Sequence, residues 1–204
     1  MEEIRPGLLH WTAFRDTIGA DVHSYLHTPS GTLLDPMEPL QGVSAVPRVE
    51  RIVLTNRHHY RDSDRFVEAF GCPVLCHEAG LHEFSGGVEG FSFGDELGPG
   101  VTALEVGVLC PEETALHLAG GAGALAFADC VIRGRHGELG FVPDFLLGDD
   151  PDAVKHGLRE RFRRLAEEVE FDALLLAHGE PVSTGGRTAL RTFADAPTAG
   201  GPPG

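Results

Sequence analysis

Short apolar runs bounded by glycine and proline constrain the fold of this chain most strongly. Runs of this length, rich in aliphatic and aromatic residues, are typical of β-strands because a strand needs few residues to cross a domain. We predict strands at 7–14, 21–28, 51–56, 73–77, 101–106, 114–119, 123–129 and 171–179, with the turn at 29–31 leading into GTLLDP as a hairpin.

Helical periodicity is confined to a few segments. The segment 152–169 predicts an amphipathic helix, whose apolar stripe consists of Val154, Leu158, Phe162, Leu165 and Val169. Shorter helices are predicted from Asp62 or Ser63 to Phe70 and over 187–193. This alternation of β-rich and helical segments predicts an α/β protein in which sheets pack face to face with helices outside. We expect one domain over 1–195 and a disordered Pro/Gly-rich tail over 196–204.

Composition and charge exclude several classes of partner. With 16 Lys plus Arg against 31 Asp plus Glu, the net charge is −15, so the chain repels the phosphate backbone of nucleic acids. No apolar stretch approaches the roughly 20 residues of a membrane span. The acidic N-terminus is unlike a signal peptide, and four cysteines in a chain of this length do not form a disulfide framework. We therefore expect a cytoplasmic protein that acts on a small molecule, without nucleic-acid or membrane partners. The sequence does not indicate the number of subunits.

Polar side chains follow the ends of four predicted strands. They are Asn56 to Asp62 after RIVLT, Cys110 after LEVGVL, Asp129 after ALAFA and His178 after ALLLA. Strand ends hold side chains rigidly while the following loops bring them together, so this placement predicts a shared pocket.

In order and spacing these segments resemble the metallo-β-lactamase fold hydrolases, over nearly the whole chain. SYLHTPSGTLLDP is similar to the early hairpin of that family, and TNRHHYR lies where the family has an H-x-H-x-D-H loop. ALAFAD resembles the strand that presents a bridging aspartate, and LLLAHGEP resembles the final His-Gly turn. The resemblance implies a four-layer αββα sandwich with a metal site at one edge of its two sheets.

The TNRHHYR loop departs from the family pattern. Aligned residue by residue, Asn56 stands for the first histidine, His58 is retained, Tyr60 stands for the aspartate and Arg61 for the last histidine. We therefore assign Asn56, Tyr60 and Arg61 to substrate binding. Arg61 keeps its charge at any ordinary pH and would repel a second metal ion.

The remaining ligands follow from the rest of the alignment. Cys110 falls at a later family histidine, although an offset of one or two residues would place Glu112 or Glu113 there. The resemblance thus implies one metal ion at most, held by His58, Cys110, Asp129 and His178. Zinc suits this ligand mixture, iron and manganese are the alternatives, and a metal-free protein is the remaining case.

Two classes of function follow from these residues. The first is a hydrolase with one metal ion that acts on a small ester, thioester or related substrate, in which Asp129 holds a water molecule and His178 or His59 moves the proton. The second is a metal-free binding or regulatory protein that keeps the pocket. A third possibility is a thiol enzyme with Cys110 as its nucleophile, which requires a nearby imidazole to form the thiolate.

Overall fold

The first of two large sheets contains seven strands in chain order. They are β1 (Glu2–Arg5), β2 (Leu8–Arg15), β3 (Ala20–His27), β4 (Thr32–Leu34), β5 (Arg51–Val53), β6 (Val74–His77) and β7 (Val88–Phe91). Neighbouring strands are antiparallel from β1 to β4 and parallel from β4 to β7. The computed structural model describes residues 1–196, so the predicted tail lies outside the described residues except for Ala196.

The second sheet has five strands. They are β8 (Glu96–Gly98), β9 (Val101–Glu105), β10 (Thr114–Leu118), β11 (Ala124–Phe127) and, after a small hairpin of β12 (Ile132–Arg133) and β13 (Leu139–Gly140), β14 (Ala173–Leu176). The order is β14-β11-β10-β9-β8, and only the β11–β14 pair is parallel.

Three α-helices cover the outer faces: α1 (Ser63–Phe70), α2 (Pro151–Glu168) and α3 (Gly186–Asp195). Helix α2 begins at a proline, a residue that suits the first helical turn, and the Asp150 side chain accepts a hydrogen bond from the Ala153 N–H at 3.0 Å. Helix α1 ends at Gly71, which adopts a left-handed conformation with φ 64°. Both helices agree with the prediction to within one residue at each end.

Alternation of side chains along the strands produces the layers. On β14, Ala173 and Leu175 face the core between the sheets, whereas Leu174 and Leu176 share a core with α2 and α3. On the other side of the molecule, Ile52 of β5 packs in a cluster with residues of α1. The predicted four-layer αββα sandwich is therefore confirmed.

The differences from the predicted elements concern edges and strand ends. Strands β1, β7 and β8 were not predicted, because their sequences are polar or glycine-rich and they lie at or near the edges of the sheets. Three predicted strands end at least two residues earlier than expected, since β5 ends at Val53, β11 at Phe127 and β14 at Leu176. The residues released from these strands form the loops that carry polar side chains. Within the described residues, no helix is both long and apolar enough to cross a membrane.

Candidate metal centre

Strand register brings Asp129 and His178 together. In the parallel β11–β14 pair, Phe127 lies opposite Leu176, and each of the two polar residues follows its strand end by two positions. The Ala177 N–H continues the pairing by donating to the Phe127 carbonyl at 3.1 Å. The two side chains therefore leave the same edge of the sheet side by side.

His59 comes from the first sheet, through a short 3₁₀ turn at Arg57–His59 that follows β5. Asn56 caps this turn, because its side-chain oxygen accepts a hydrogen bond from the His58 N–H at 2.7 Å. The turn directs His59 into the protein, where only 4% of its surface is exposed, and leaves His58 exposed.

The three side chains meet at one carboxylate oxygen. Asp129 Oδ1 lies 3.1 Å from His178 Nε2 and 3.3 Å from His59 Nε2. The other oxygen, Oδ2, accepts a hydrogen bond from the Asn56 side-chain amide at 3.0 Å. Within residues 1–196, His59, Asp129 and His178 form one of two groups of potential metal ligands whose donor atoms lie within 4.8 Å of one another.

The Asp35 carboxylate binds the ring nitrogen of His59 that does not face Asp129. Its Oδ2 accepts a hydrogen bond from His59 Nδ1 at 3.0 Å, and its Oδ1 accepts one from the Thr55 N–H at 2.8 Å. With Nδ1 bound to this carboxylate, His59 Nε2 is the nitrogen that faces Asp129. Sequence analysis missed Asp35, although it directly follows the apolar strand β4 and satisfies the strand-end criterion used for the other residues.

Charges in this group are strongly coupled. Burial and the Arg61 charge act to lower the pKa of His59, but the Asp129 and Asp35 carboxylates outweigh them and raise it to about 9. Burial disfavours ionised Asp129, yet His59 and His178 hold the pKa of that carboxyl far below its usual range. Without a metal, the group is thus an ion pair between imidazolium and carboxylate.

Arg61 lies against the same group but does not bind Asp129. Its Nη1 donates to the backbone carbonyls of Asp35 at 2.7 Å and His23 at 3.1 Å. Its Nε and Nη2 are buried and have no hydrogen-bond partner among the described residues. Arg61 therefore keeps a fixed positive charge beside the site and two unused donors.

A pair of buried histidines, His10 and His23, lies nearby on β2 and β3. His10 Nε2 and His23 Nδ1 are 2.8 Å apart in a hydrogen bond, and the exposed Glu180 completes the second group of potential ligands. Burial, followed by the charges of His10, His178 and Arg61, lowers the pKa of His23 to about 4. Sequence analysis assigned these histidines no role, because they lie inside strands and have no distinctive spacing.

Cys110 and its neighbours do not join the ligand group. Cys110 Sγ donates to Glu113 Oε2 at 3.4 Å, and burial together with the Glu113 charge raises the pKa of this thiol well above its usual value. Glu113 also accepts a hydrogen bond from the Cys130 N–H, and Glu112 is paired with Arg57. None of these three residues belongs to the groups of potential metal ligands in the described part of the chain, and the Cys110 thiol bonds to a carboxylate rather than to an imidazole.

Two residues of the TNRHHYR loop also lie differently from the prediction. His58 lines the cleft but is exposed and is absent from the ligand groups of the described residues, since the 3₁₀ turn places its neighbour His59 inside. Tyr60, predicted to bind substrate, packs against Phe84 and donates a hydrogen bond to Asp64 at 2.6 Å. The ligand set brought together by the fold is His59, Asp129 and His178, with Asn56 and Arg61 beside it.

Comparison with solved structures identifies the sandwich as the metallo-β-lactamase fold. A rubredoxin oxygen:oxidoreductase from Desulfovibrio gigas matches with a TM-score of 0.65 and 15% identity, covering 95% of this chain and 60% of that chain. A motif variant of the metallo-β-lactamase from Cronobacter sakazakii matches with a TM-score of 0.65 and 18% identity, covering 95% and 91%. A variant flavo-diiron protein from Thermotoga maritima matches with a TM-score of 0.62 and 13% identity, covering 92% and 57%.

At sequence identities this low, the structural similarity establishes the fold alone. The activity has to be inferred from the residues of the site. The chain spans less than two thirds of the oxidoreductase and of the flavo-diiron protein, but most of the C. sakazakii enzyme. A scan against protein-family models and a search of curated proteins gave no match.

Proposed function

We propose that the protein is a hydrolase with one metal ion, acting on a small ester, thioester or related molecule. The observation that supports this function is the convergence of His59, Asp129 and His178 on one point at the sheet edge. A cytoplasmic location and a small-molecule substrate belong to the same proposal.

The donor set fits a divalent metal ion. Two imidazole nitrogens and one carboxylate oxygen are the ligands of many catalytic zinc sites, which keep a further position open. Asp35 fixes the ring nitrogens of His59 so that Nε2 faces the site, as carboxylates commonly do behind metal-bound histidines. Iron and manganese accept the same ligands, and zinc is the first candidate.

A second metal ion does not fit beside the first. The Asn56 amide already holds Asp129 Oδ2, so this oxygen is not free to bridge two ions. The guanidinium of Arg61 supplies a fixed positive charge next to the group. The prediction of one metal ion at most therefore stays part of the proposal, with a different histidine as ligand.

When bound, the metal would activate a water molecule for attack on a carbonyl carbon. The residues around it have separate tasks. Asn56 prevents Asp129 from rotating, and Asp35 prevents His59 from doing so. The guanidinium of Arg61, held by two backbone carbonyls, would place a fixed positive charge near the substrate carbonyl oxygen, on which negative charge develops during the attack.

A metal-free binding protein is the second candidate, and one observation favours it. Asp129 is already neutralised by two imidazoles and an amide, so the group is stable as an ion pair without a metal. In this function Arg61 and the histidines would bind an anionic ligand.

The two candidates differ in metal content. We would purify the full chain without a histidine tag, titrate it with Zn²⁺, and measure bound metal and hydrolysis of a panel of esters and thioesters. The hydrolase predicts about one equivalent of zinc and turnover that depends on it.

Adjacent histidines supply a matched pair of variants. His59→Ala should abolish both zinc binding and turnover, whereas His58→Ala should leave zinc binding unchanged because this side chain is exposed and outside the ligand group. Failure of zinc, iron and manganese to bind the wild-type protein would leave the binding protein as the function.

A further inference from the structure

We propose that the cleft above the metal centre binds ligands with an aliphatic acyl chain, and that the chain lies along an apolar rim formed by Phe14, Ile18, Phe145 and Leu146. This inference rests on the proposed function, in which such a ligand is the acyl part of the substrate. The evidence for it is the position of the large apolar side chains that the protein exposes to solvent.

Exposed apolar residues are concentrated at this cleft. Among the described residues, six large hydrophobic side chains are exposed, and four of them line the cleft that also contains His59, Asp129 and His178. Phe145 is the most exposed of the four, at 82%. Scattered single apolar residues need no explanation on a protein surface, but a cluster beside a polar site indicates a binding surface.

The rim is built by two separate segments. Phe14 and Ile18 belong to the end of the β2–β3 hairpin, and Phe145 and Leu146 belong to a 3₁₀ turn at Asp144–Leu146. The cleft between them has a volume of about 1410 Å³. Because a typical pocket for a small ligand has about 300–1,000 Å³, this space admits a chain in addition to the reacting group.

Charge identifies the other end of the ligand. Five arginines line the cleft, against three acidic residues, in a chain of net charge −15, and one of the five, Arg57, is already paired with Glu112. They are Arg15, Arg57, Arg61, Arg133 and Arg135, and the acidic residues are Asp21, Asp129 and Glu180. The Arg61 guanidinium binds two backbone carbonyls and keeps its positive charge, which a carbonyl or carboxylate at this end of the ligand complements.

The net negative charge of the whole chain disfavours the alternative occupants of the rim. A second copy of the chain also carries −15, so two copies repel each other over long range. An anionic membrane surface repels the chain for the same reason. A small acyl compound has both an apolar chain that matches the rim and an oxygen-rich head that matches the arginines of the cleft.

A series of carboxylates tests the inference without requiring catalysis. We would measure binding of butyrate, octanoate and dodecanoate to the full chain by isothermal titration calorimetry, each below its micelle concentration. Burial of one methylene group corresponds to roughly a threefold to fourfold gain in affinity, so affinity should rise steeply with chain length.

The double variant Phe145→Ser, Leu146→Ser removes one side of the rim. We expect it to weaken dodecanoate binding at least tenfold and to leave butyrate binding unchanged. Leu40→Ser is the matched control, because Leu40 is 97% exposed and does not line the cleft. It should change neither affinity.

Three results would overturn the inference: affinity that does not depend on chain length, an equal effect of Leu40→Ser, or a rim variant that changes only the sedimentation coefficient. The last would show that a second copy covers the rim. Chain-length-dependent binding without any hydrolysis would refute the proposed reaction and support the acyl-chain site, so the two failures are distinguishable.

Discussion

Asp35 determines which nitrogen of His59 is free to bind a metal. The carboxylate is buried, and its oxygens accept three hydrogen bonds: Oδ1 from the Thr55 N–H, and Oδ2 from both the Thr55 hydroxyl and His59 Nδ1. A neutral amide of the same shape cannot accept from both the Thr55 N–H and His59 Nδ1, because one end of the amide is a nitrogen donor.

Asp35→Asn should therefore weaken zinc binding about 10-fold to 100-fold, the usual effect of losing a carboxylate behind a metal-bound histidine. Competition with a chromophoric chelator measures the affinity. Asp64→Asn, which changes an exposed carboxylate bonded to Tyr60, is the control. Equal zinc affinity in wild type and Asp35→Asn would show that His59 does not depend on this support.

The buried pair His10–His23 should make the metal-free protein sensitive to acid. Burial lowers the pKa of His23 to about 4 in the folded protein, below the ordinary histidine value of about 6.5, so folding favours the neutral ring. Stability is then complete above pH 6.5 and is lost as the pH falls from 6.5 towards 4, because the unfolded chain binds the proton first.

His23→Leu should remove this contribution, which amounts to about 2 kcal/mol between pH 7.5 and pH 5. Urea unfolding at the two pH values gives the free energy of unfolding for wild type and variant. The charges of His10, His178 and Arg61 act on His23 at both pH values. The quantity compared between wild type and variant is therefore the change in the free energy of unfolding from one pH to the other. His136→Leu, an exposed histidine of the same cleft, should retain the wild-type pH dependence, and an equally steep loss in His23→Leu would contradict the assignment.

The position of a side chain could be predicted from the sequence where strand register determines it, but not where a turn does. Asp129 and His178 follow paired parallel strands, so their meeting could be inferred from their positions. Whether His58 or His59 faces inward depends on the Asn56 cap and on the 3₁₀ turn that it begins, which spacing does not reveal. The surroundings of Cys110 could not be predicted, because the sequence does not show that its thiol donates a hydrogen bond to Glu113.

At the scale of elements, the turn after β14 holds His178 by close packing of backbone. Gly179 has a φ of 88°, and a Cβ added there would lie 2.1 Å from the Arg133 carbonyl oxygen. The same segment is tied to the β12 hairpin, since the Arg133 N–H donates to the His178 carbonyl at 3.0 Å. Glycine is required here by both conformation and space.

Gly179→Ala should displace His178 and lower zinc affinity as well as stability. Gly185→Ala is the matched control, because Gly185 also has a positive φ of 73° but no atom lies within 4 Å of an added Cβ. The control should lose only the roughly 1–2 kcal/mol of a left-handed alanine and keep its zinc affinity. Thermal unfolding and chelator competition measure both quantities, and equal zinc affinity in the two variants would contradict this role of Gly179.

Most elements were predictable because their apolar runs have the period of a helix or a strand. The stripe of α2 is an example, since Leu158, Phe162 and Leu165 are buried as its spacing predicted. The edge strands could not be predicted, because half-exposed strands such as β1 contribute little apolar surface and are held mainly by backbone pairing.

At the scale of the whole molecule, the candidate metal centre lies where loops from the two sheets meet. His59 and Asp35 belong to the first sheet, and Asp129 and His178 belong to the second. Backbone hydrogen bonds cross the same edge, from Thr114 N–H to the Thr55 carbonyl at 2.9 Å. A ligand shared by both sheets therefore stabilises their packing. The extent of the domain, proposed as 1–195, stays a prediction.

Zinc should raise the free energy of unfolding of the whole sandwich. At a free zinc concentration 100 times the dissociation constant, the gain is about 2.7 kcal/mol if the unfolded chain does not bind the metal. Urea unfolding with and without zinc measures it. His59→Ala should show no gain and His58→Ala the full gain, and a gain that persists in His59→Ala would place the zinc elsewhere.

Anomalous X-ray scattering at the zinc edge, from crystals of the zinc-loaded protein, tests the one-metal centre most directly. The account predicts a single peak bonded to His59 Nε2, Asp129 Oδ1 and His178 Nε2. A peak at His58 or Cys110, two peaks at the sheet edge, or no peak between the two sheets would contradict it.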